Sequence, residues 1–159
     1  MDTDIRLLTF IFHTIPECTA FSLFVLAFTN KLTQWKKGLA LGFLFALVTF
    51  LIRFLPIIQG VHTLLLFFAV IFFLYSFIDV KLFSIVKVCF LGFFIVAMGE
   101  VISFTILINL FNLTYDQMIN SFFWVIILAL FQVSLFGIVI LIVLIRNKNF
   151  LIPYGNDYS

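Results

Sequence analysis

The sequence has few charged residues, and this shortage bounds what the protein can be. Only 10% of its 159 residues are charged, whereas a soluble domain has about 25%. Hydrophobic residues make up 65% of the chain, and the mean hydropathy is +1.31. The net charge of +2 is too small to indicate a nucleic-acid partner. We therefore expect the lipid bilayer, rather than water, to be the main surroundings of this chain.

Cysteines and catalytic motifs are also scarce. The two cysteines, Cys18 and Cys89, lie in apolar runs without metal-ligand spacing, so we interpret them as small buried hydrophobic residues. Cys18 and His13 do not face each other on a helix and form no nucleophile–base pair. The sequence has no two-histidine metal motif, no glycine-rich phosphate loop and no serine dyad. We expect no enzymatic activity, no metal and no cofactor.

The first apolar run lacks the basic start of a cleavable signal peptide. Asp2 and Asp4 precede it, and Glu17 lies in its interior. Because a signal peptide begins with a positively charged segment, we expect this run to remain in the protein as a helix.

Five apolar segments follow one another, and four or five of them are long enough to cross about 30 Å of hydrocarbon. They predict an all-α integral membrane protein, a five-helix transmembrane bundle in a single domain of residues 1–150 with a short cytoplasmic tail, 151–159. Pro16 should kink the first helix and Pro56 should end the second. The predicted helices cover residues 5–28, 38–55, 62–78, 83–111 and 122–145.

Basic residues predict the orientation of the bundle. With five spans, seven of the nine lysines and arginines fall on one side, and only Arg6 and Arg53 lie near the other. Because basic loops stay in the cytoplasm, we predict the N-terminus outside and the C-terminus inside. Abundant Phe and Ile with little Ala is typical of an AT-rich bacterial genome, so we expect a multi-pass protein of the bacterial cytoplasmic membrane. The seven residues are Lys31, Lys36, Lys37, Lys81, Lys87, Arg146 and Lys148.

Small residues mark a packing face on the second helix. Gly38, Gly42 and Ala46 repeat every four residues, and the same face continues to Thr49 and Arg53. Such a row lets two helices approach closely. The partner is either another helix of this chain or a second copy, so a homo-oligomer stays an alternative.

The ionisable residues inside the helices form a predicted polar cluster in the outer half of the bundle. At 1.5 Å per residue, Glu17 lies about 18 Å and Glu100 about 17 Å from the outer ends of their helices, with His13 one turn from Glu17. Arg53 and His62 lie near the outer surface, where Arg53 either reaches down to the carboxylates or extends to the lipid headgroups. Charges inside a membrane are typically paired and functional, although an ion pair that only joins helices is the alternative.

Three short motifs carry a resemblance to a known family. They are Ile15-Pro-Glu17, the segment Arg53-Phe-Leu-Pro-Ile-Ile-Gln-Gly-Val-His-Thr63, and Gly99-Glu100. The chain resembles the multi-spanning N-terminal membrane sensor region of clostridial-type, accessory-gene-regulator-like sensor histidine kinases. That family continues into a phosphoacceptor helix and an ATP-binding domain, which this sequence lacks. The resemblance implies a sensor module that is free-standing, truncated, or dependent on a partner.

These observations lead to one main expectation and two alternatives. We expect a signalling module that binds an extracellular or membrane-borne signal through Glu17, Arg53, Glu100, His13 and His62, with a histidine kinase or another membrane protein as its partner. One alternative is the substrate-binding membrane subunit of a small-solute transporter. The other is a structural membrane protein whose ion pairs only fix the bundle.

Overall fold

The computed structural model describes residues 7–53, 59–112, 114, 117 and 121–150, and only the backbone of residues 59–60 and 147–150. These residues form helices and short connections, with no β-strand among them. The helices are α1 (Ile15–Phe28), α2 (Trp35–Arg53), α3 (Gln59–Phe77), α4 (Leu82–Phe111) and α5 (Phe122–Phe150).

Four to five of these helices are apolar enough to span a membrane. Four long segments qualify by length and composition, and Val61–Phe77 of α3 is a shorter apolar helix. The four are Leu7–Phe28, Leu32–Arg53, Leu82–Phe111 and Phe122–Arg146.

Several helices extend beyond the bounds predicted from hydrophobicity. α2 begins at Trp35 instead of residue 38, α3 begins at Gln59 instead of 62, and α5 continues to Phe150 instead of ending at 145. Apolar runs mark the hydrocarbon layer, but lysine, arginine and glutamine are good helix formers and prolong helices into the polar interface. Pro56 and the predicted tail 151–159 lie outside the described residues.

The four later helices form an arc, and α1 lies on its concave side. α2 packs against α3, α3 against α4, and α4 against α5, while α1 contacts α2, α4 and α5. Aromatic and aliphatic side chains of α1 make up the centre of the core, where Phe24, Val25 and Leu26 are fully buried. Phe136 of α5 is equally buried and stacks near Phe24 with ring centroids 5.3 Å apart. The first helix therefore organises the bundle.

Large apolar side chains cover the outer surface. Phe72, Phe83, Phe90 and Leu110 are each at least 65% exposed. A soluble monomer rarely exposes contiguous apolar patches of more than a few hundred Å², whereas a bilayer solvates them. This surface is the one expected of a membrane protein.

Two glycines of α2 bring it close to α1. A Cβ atom on Gly42 would lie 2.5 Å from the Cα atom of Thr19, and one on Gly38 would lie 2.5 Å from Leu26. Ala46 is fully buried on the same face. The small-residue row therefore serves helix packing within one chain, so it gives no support to the homo-oligomer alternative.

A π-helical segment, Phe10–Thr14, precedes the α-helical part of α1. Pro16 lies two residues after this segment and has no N–H group to donate to the preceding turn. π-Turns occur where the regular hydrogen-bond pattern of a helix is interrupted, often at functional sites. The segment contains His13 and Thr14, both of which take part in the polar contacts described below. The helix is therefore irregular just before Pro16, while the kink itself stays a prediction.

Candidate functional site

A cavity of about 310 Å³ lies between α1 and α3. α2 and α4 form its side walls, so four helices contribute to it. This volume is at the lower end of the about 300–1,000 Å³ typical of small-molecule sites. Its lining combines charged, hydroxyl, thiol and aromatic groups: Glu17, Cys18, Phe21, Phe45, Thr49, Arg53, Thr63, Leu66, Phe93, Val96, Ala97 and Glu100.

Glu17 and His13 form a contact one helical turn apart on α1. His13 Nδ1 lies 3.4 Å from Glu17 Oε2, and the two side chains are 19% and 16% exposed. Residues four apart share one face of a helix, so the sequence spacing accounts for the contact. Glu17 lines the cavity, while His13 lies behind it.

Arg53 ends α2 at the rim of the cavity. Its Nη1 atom donates a long hydrogen bond to Thr14 Oγ1, 3.5 Å away, and the side chain is exposed. Among the described residues, no carboxylate lies within 4.0 Å of the guanidinium, so the expected direct ion pair with Glu17 or Glu100 is not formed. The three charged side chains nevertheless line the same cavity.

Glu100 of α4 also lines the cavity. The preceding Gly99 packs against Gln132 of α5, where a Cβ atom would lie 2.6 Å from Gln132 Oε1. This close approach fixes the rotation of α4 and places Glu100 on the open side. Within the described part of the chain, the Glu100 side chain has neither a hydrogen bond nor an ion pair, and it is exposed.

His62 is not among the residues that line the cavity, although the sequence analysis placed it in the polar cluster. Its Nε2 atom is buried and has no hydrogen-bond partner among the described residues. The adjacent Thr63 lines the cavity instead. Neighbouring residues on a helix point in different directions, and the sequence alone did not fix the rotation of α3.

Several residues that line the cavity could not be recognised as site residues from the sequence. Cys18 is buried, as expected, but its Sγ atom lies 3.9 Å from Thr49 Oγ1 at the cavity wall. Thr49 lay on the predicted small-residue face, and that position could have pointed to it. The aromatic residues Phe21 and Phe93, with ring centroids 5.4 Å apart, could not be distinguished among 25 phenylalanines.

The cavity combines charged and aromatic side chains from several helices. Across the described ranges, no group of three or more His, Cys, Asp and Glu residues is arranged to hold a metal ion. Charged groups converge from α1, α2 and α4 on a partly enclosed volume with aromatic walls. A few polar groups placed in an apolar pocket are the usual composition of a ligand site.

No protein-family model, curated protein or solved structure matches this chain, so the site is interpreted from its own geometry.

Proposed function

We propose that this chain is a membrane-embedded sensor module that binds an extracellular or membrane-borne signal in the cavity between α1 and α3. The module has its N-terminus outside and its C-terminus inside a bacterial cytoplasmic membrane. It transmits the signal to a histidine kinase or another membrane protein.

The observation that supports this proposal most is the convergence of Glu17, Arg53 and Glu100 on one cavity. These residues lie far apart in the sequence and on three different helices. Charged side chains within membrane segments are rare and mark functional pathways or ligand sites. The resemblance of the motifs containing these residues to sensor regions points in the same direction.

The packing provides a route for a signal. Glu100 lies on α4, which also packs against α1 and α5, and Arg53 lies at the end of α2. A ligand that engages both residues would favour a different spacing of α2 and α4 around α1. A ligand shifts such an equilibrium only by its differential affinity for the two arrangements, and the two charged side chains supply that difference.

The proposal is tested by complementation in the native host. A deletion strain receives the wild-type gene, Glu100→Gln, or the control Asp79→Asn, and its transcript response to conditioned medium is recorded. Asp79 is an exposed carboxylate in the turn between α3 and α4, outside the cavity. We expect the wild type and Asp79→Asn to restore the response and Glu100→Gln to abolish it. If Glu100→Gln reaches the membrane at normal level and restores the response fully, the cavity is not the sensing site.

A transport subunit is the second candidate, because the same cavity would serve as a substrate site between helices. Solute uptake into proteoliposomes separates the two functions. A sensor produces no flux with or without its partner, whereas a transport subunit produces cavity-dependent uptake when its energising partner is added.

A further inference from the structure

An apolar groove adjoins the cavity on the lipid side of α3 and α4. Its volume is about 420 Å³, and its lining consists of Thr63, Leu64, Phe67, Phe90, Phe93 and Phe94. Thr63 and Phe93 line both the groove and the cavity. A polar compartment and an apolar compartment therefore meet at these two residues.

The charges of the cavity favour a cation. The cavity is lined by two carboxylates, those of Glu17 and Glu100, and by one guanidinium, that of Arg53. The guanidinium donates a hydrogen bond to Thr14. Glu17 has His13 beside it, so Glu100 is the cavity carboxylate without a hydrogen bond or ion pair among the described residues. An incoming positive group would complete an ion pair with Glu100, whereas an anion would meet two like charges.

The aromatic lining favours the same sign of charge. Phe21, Phe45 and Phe93 surround the cavity, with the Phe21 and Phe45 ring centroids 6.1 Å apart. The face of an aromatic ring attracts a cation, and sites for ammonium groups use this attraction. The groove next to it offers only apolar contacts apart from Thr63.

We infer that the ligand is a cationic amphiphile, whose ammonium group binds at Glu100 inside the cavity and whose apolar chain leaves between Thr63 and Phe93 into the groove. This inference rests on the proposed function and specifies its ligand class. Such a ligand reaches the site from within the bilayer, with its charged end at the depth of Glu100.

The inference is tested on the purified full chain in dodecylmaltoside by equilibrium dialysis with radiolabelled probes, and empty micelles correct for partitioning. The probes are n-octylammonium, the chain-matched anion octanoate, and ethylammonium, which has the charge without the chain. We expect saturable binding of octylammonium, no saturable binding of octanoate, and binding of ethylammonium that is weaker by about tenfold or more.

Matched variants assign the two compartments. Glu100→Gln is expected to weaken octylammonium binding by about tenfold or more, because truncating a charge pair removes a strong interaction, while Asp79→Asn leaves it unchanged. Phe94→Ala should weaken octylammonium but not ethylammonium. Phe77→Ala is its control, because Phe77 has nearly the same exposure, 55% against 53%, and lies outside the groove.

Competition distinguishes the source of the ligand. Displacement of octylammonium by a double-chain trimethylammonium lipid supports a lipid headgroup, and displacement by single-chain amines alone supports a free amphiphile. Binding of octanoate that depends on Arg53 would overturn the cationic assignment and leave the cavity as the sensing site. If neither octylammonium nor octanoate binds saturably, the inference about the ligand is wrong. The proposed sensing function has its own test, and it fails if Glu100→Gln restores the host response.

Discussion

The two carboxylates of the cavity have different surroundings. Glu17 is 16% exposed and contacts His13, whereas Glu100 is exposed and has no partner among the described residues. A buried polar side chain that loses its partner leaves the other group unsatisfied. Glu17 therefore contributes to the stability of the site, and Glu100 is available to a ligand.

This difference predicts that truncating the two carboxylates changes the free energy of unfolding by different amounts. Glu17→Ala should lower the free energy of unfolding by about 1–3 kcal/mol, because it removes the contact with His13 and leaves a void. Glu100→Ala should change it by less than about 0.5 kcal/mol, because it removes no hydrogen bond or ion pair to the described residues. Unfolding in detergent, followed by tryptophan fluorescence, measures both. Equal destabilisation by the two variants would mean that both carboxylates are structural, which is the behaviour of a bundle fixed only by its polar contacts.

The two cysteines provide a second test at the level of residues. Cys18 is 5% exposed and lines the cavity, whereas Cys89 is fully buried in the core. A small thiol reagent such as methyl methanethiosulfonate should therefore modify Cys18 before Cys89 in the folded protein. Peptide mass spectrometry over a time course gives the two rates, and Cys89 serves as the internal control. Modification of Cys89 first would show that the cavity does not admit a small molecule to Cys18.

At the scale of helices, the contact between α1 and α2 determines how the cavity is built. Gly42 and Thr19 lie at this contact, and Thr19 Oγ1 bonds to the carbonyl oxygens of Ile15 and Pro16, both 2.9 Å away. Both acceptors belong to α1, so the Thr19 hydroxyl is bonded to its own helix at this contact. Close packing here holds Glu17 and Arg53 on facing helices.

Gly42→Ala should separate the two helices. The added Cβ atom would lie 2.5 Å from a backbone atom that cannot move alone, and overpacking of this kind costs about 1–3 kcal/mol. Gly137→Ala is the matched control, because nothing lies within 4 Å of its Cβ position in the middle of α5. Thermal unfolding of both variants in detergent measures the effect. A stable Gly42→Ala protein would mean that α1 and α2 lie farther apart than described.

The helices and their packing face could be predicted from hydrophobicity and small-residue spacing, but the detailed site could not. Gly38 and Gly42 pointed to a close contact because a row of glycines has few other uses in a membrane helix. The direction of the Arg53 side chain depends on the π-turn that places Thr14 beside it, and a π-turn has no periodic signature. The exclusion of His62 depends on the rotation of α3, which is set by packing on α2 and α4.

At the scale of the whole molecule, the arc of helices places the polar cluster and the basic residues at opposite ends. Glu17 and Arg53 lie toward one end, while Lys31 and Lys81 lie in the connections at the other and Lys36 lies in the first turn of α2. This separation agrees with an outward-facing site. It depends on α3 crossing the bilayer, and its apolar part, Val61–Phe77, spans only about 25 Å at 1.5 Å per residue.

Cysteine accessibility in intact cells tests both the orientation and the crossing of α3. Three exposed positions in connections are used, Thr33→Cys, Asp79→Cys and Gln117→Cys, and each keeps every lysine that sets the orientation. An impermeant maleimide should label Gln117→Cys in intact cells, and the other two only after permeabilisation, because basic loops face the cytoplasm. The wild type is the control, since its two cysteines are buried. Labelling of Asp79→Cys in intact cells, with Thr33→Cys still protected, would show that α3 does not cross the membrane. The reverse labelling pattern at all three positions would show that the bundle has the opposite orientation. The inverted pattern would place the cavity toward the cytoplasm and remove the access of an extracellular signal, whereas a non-crossing α3 would contradict the packing of α3 and α4 around the cavity.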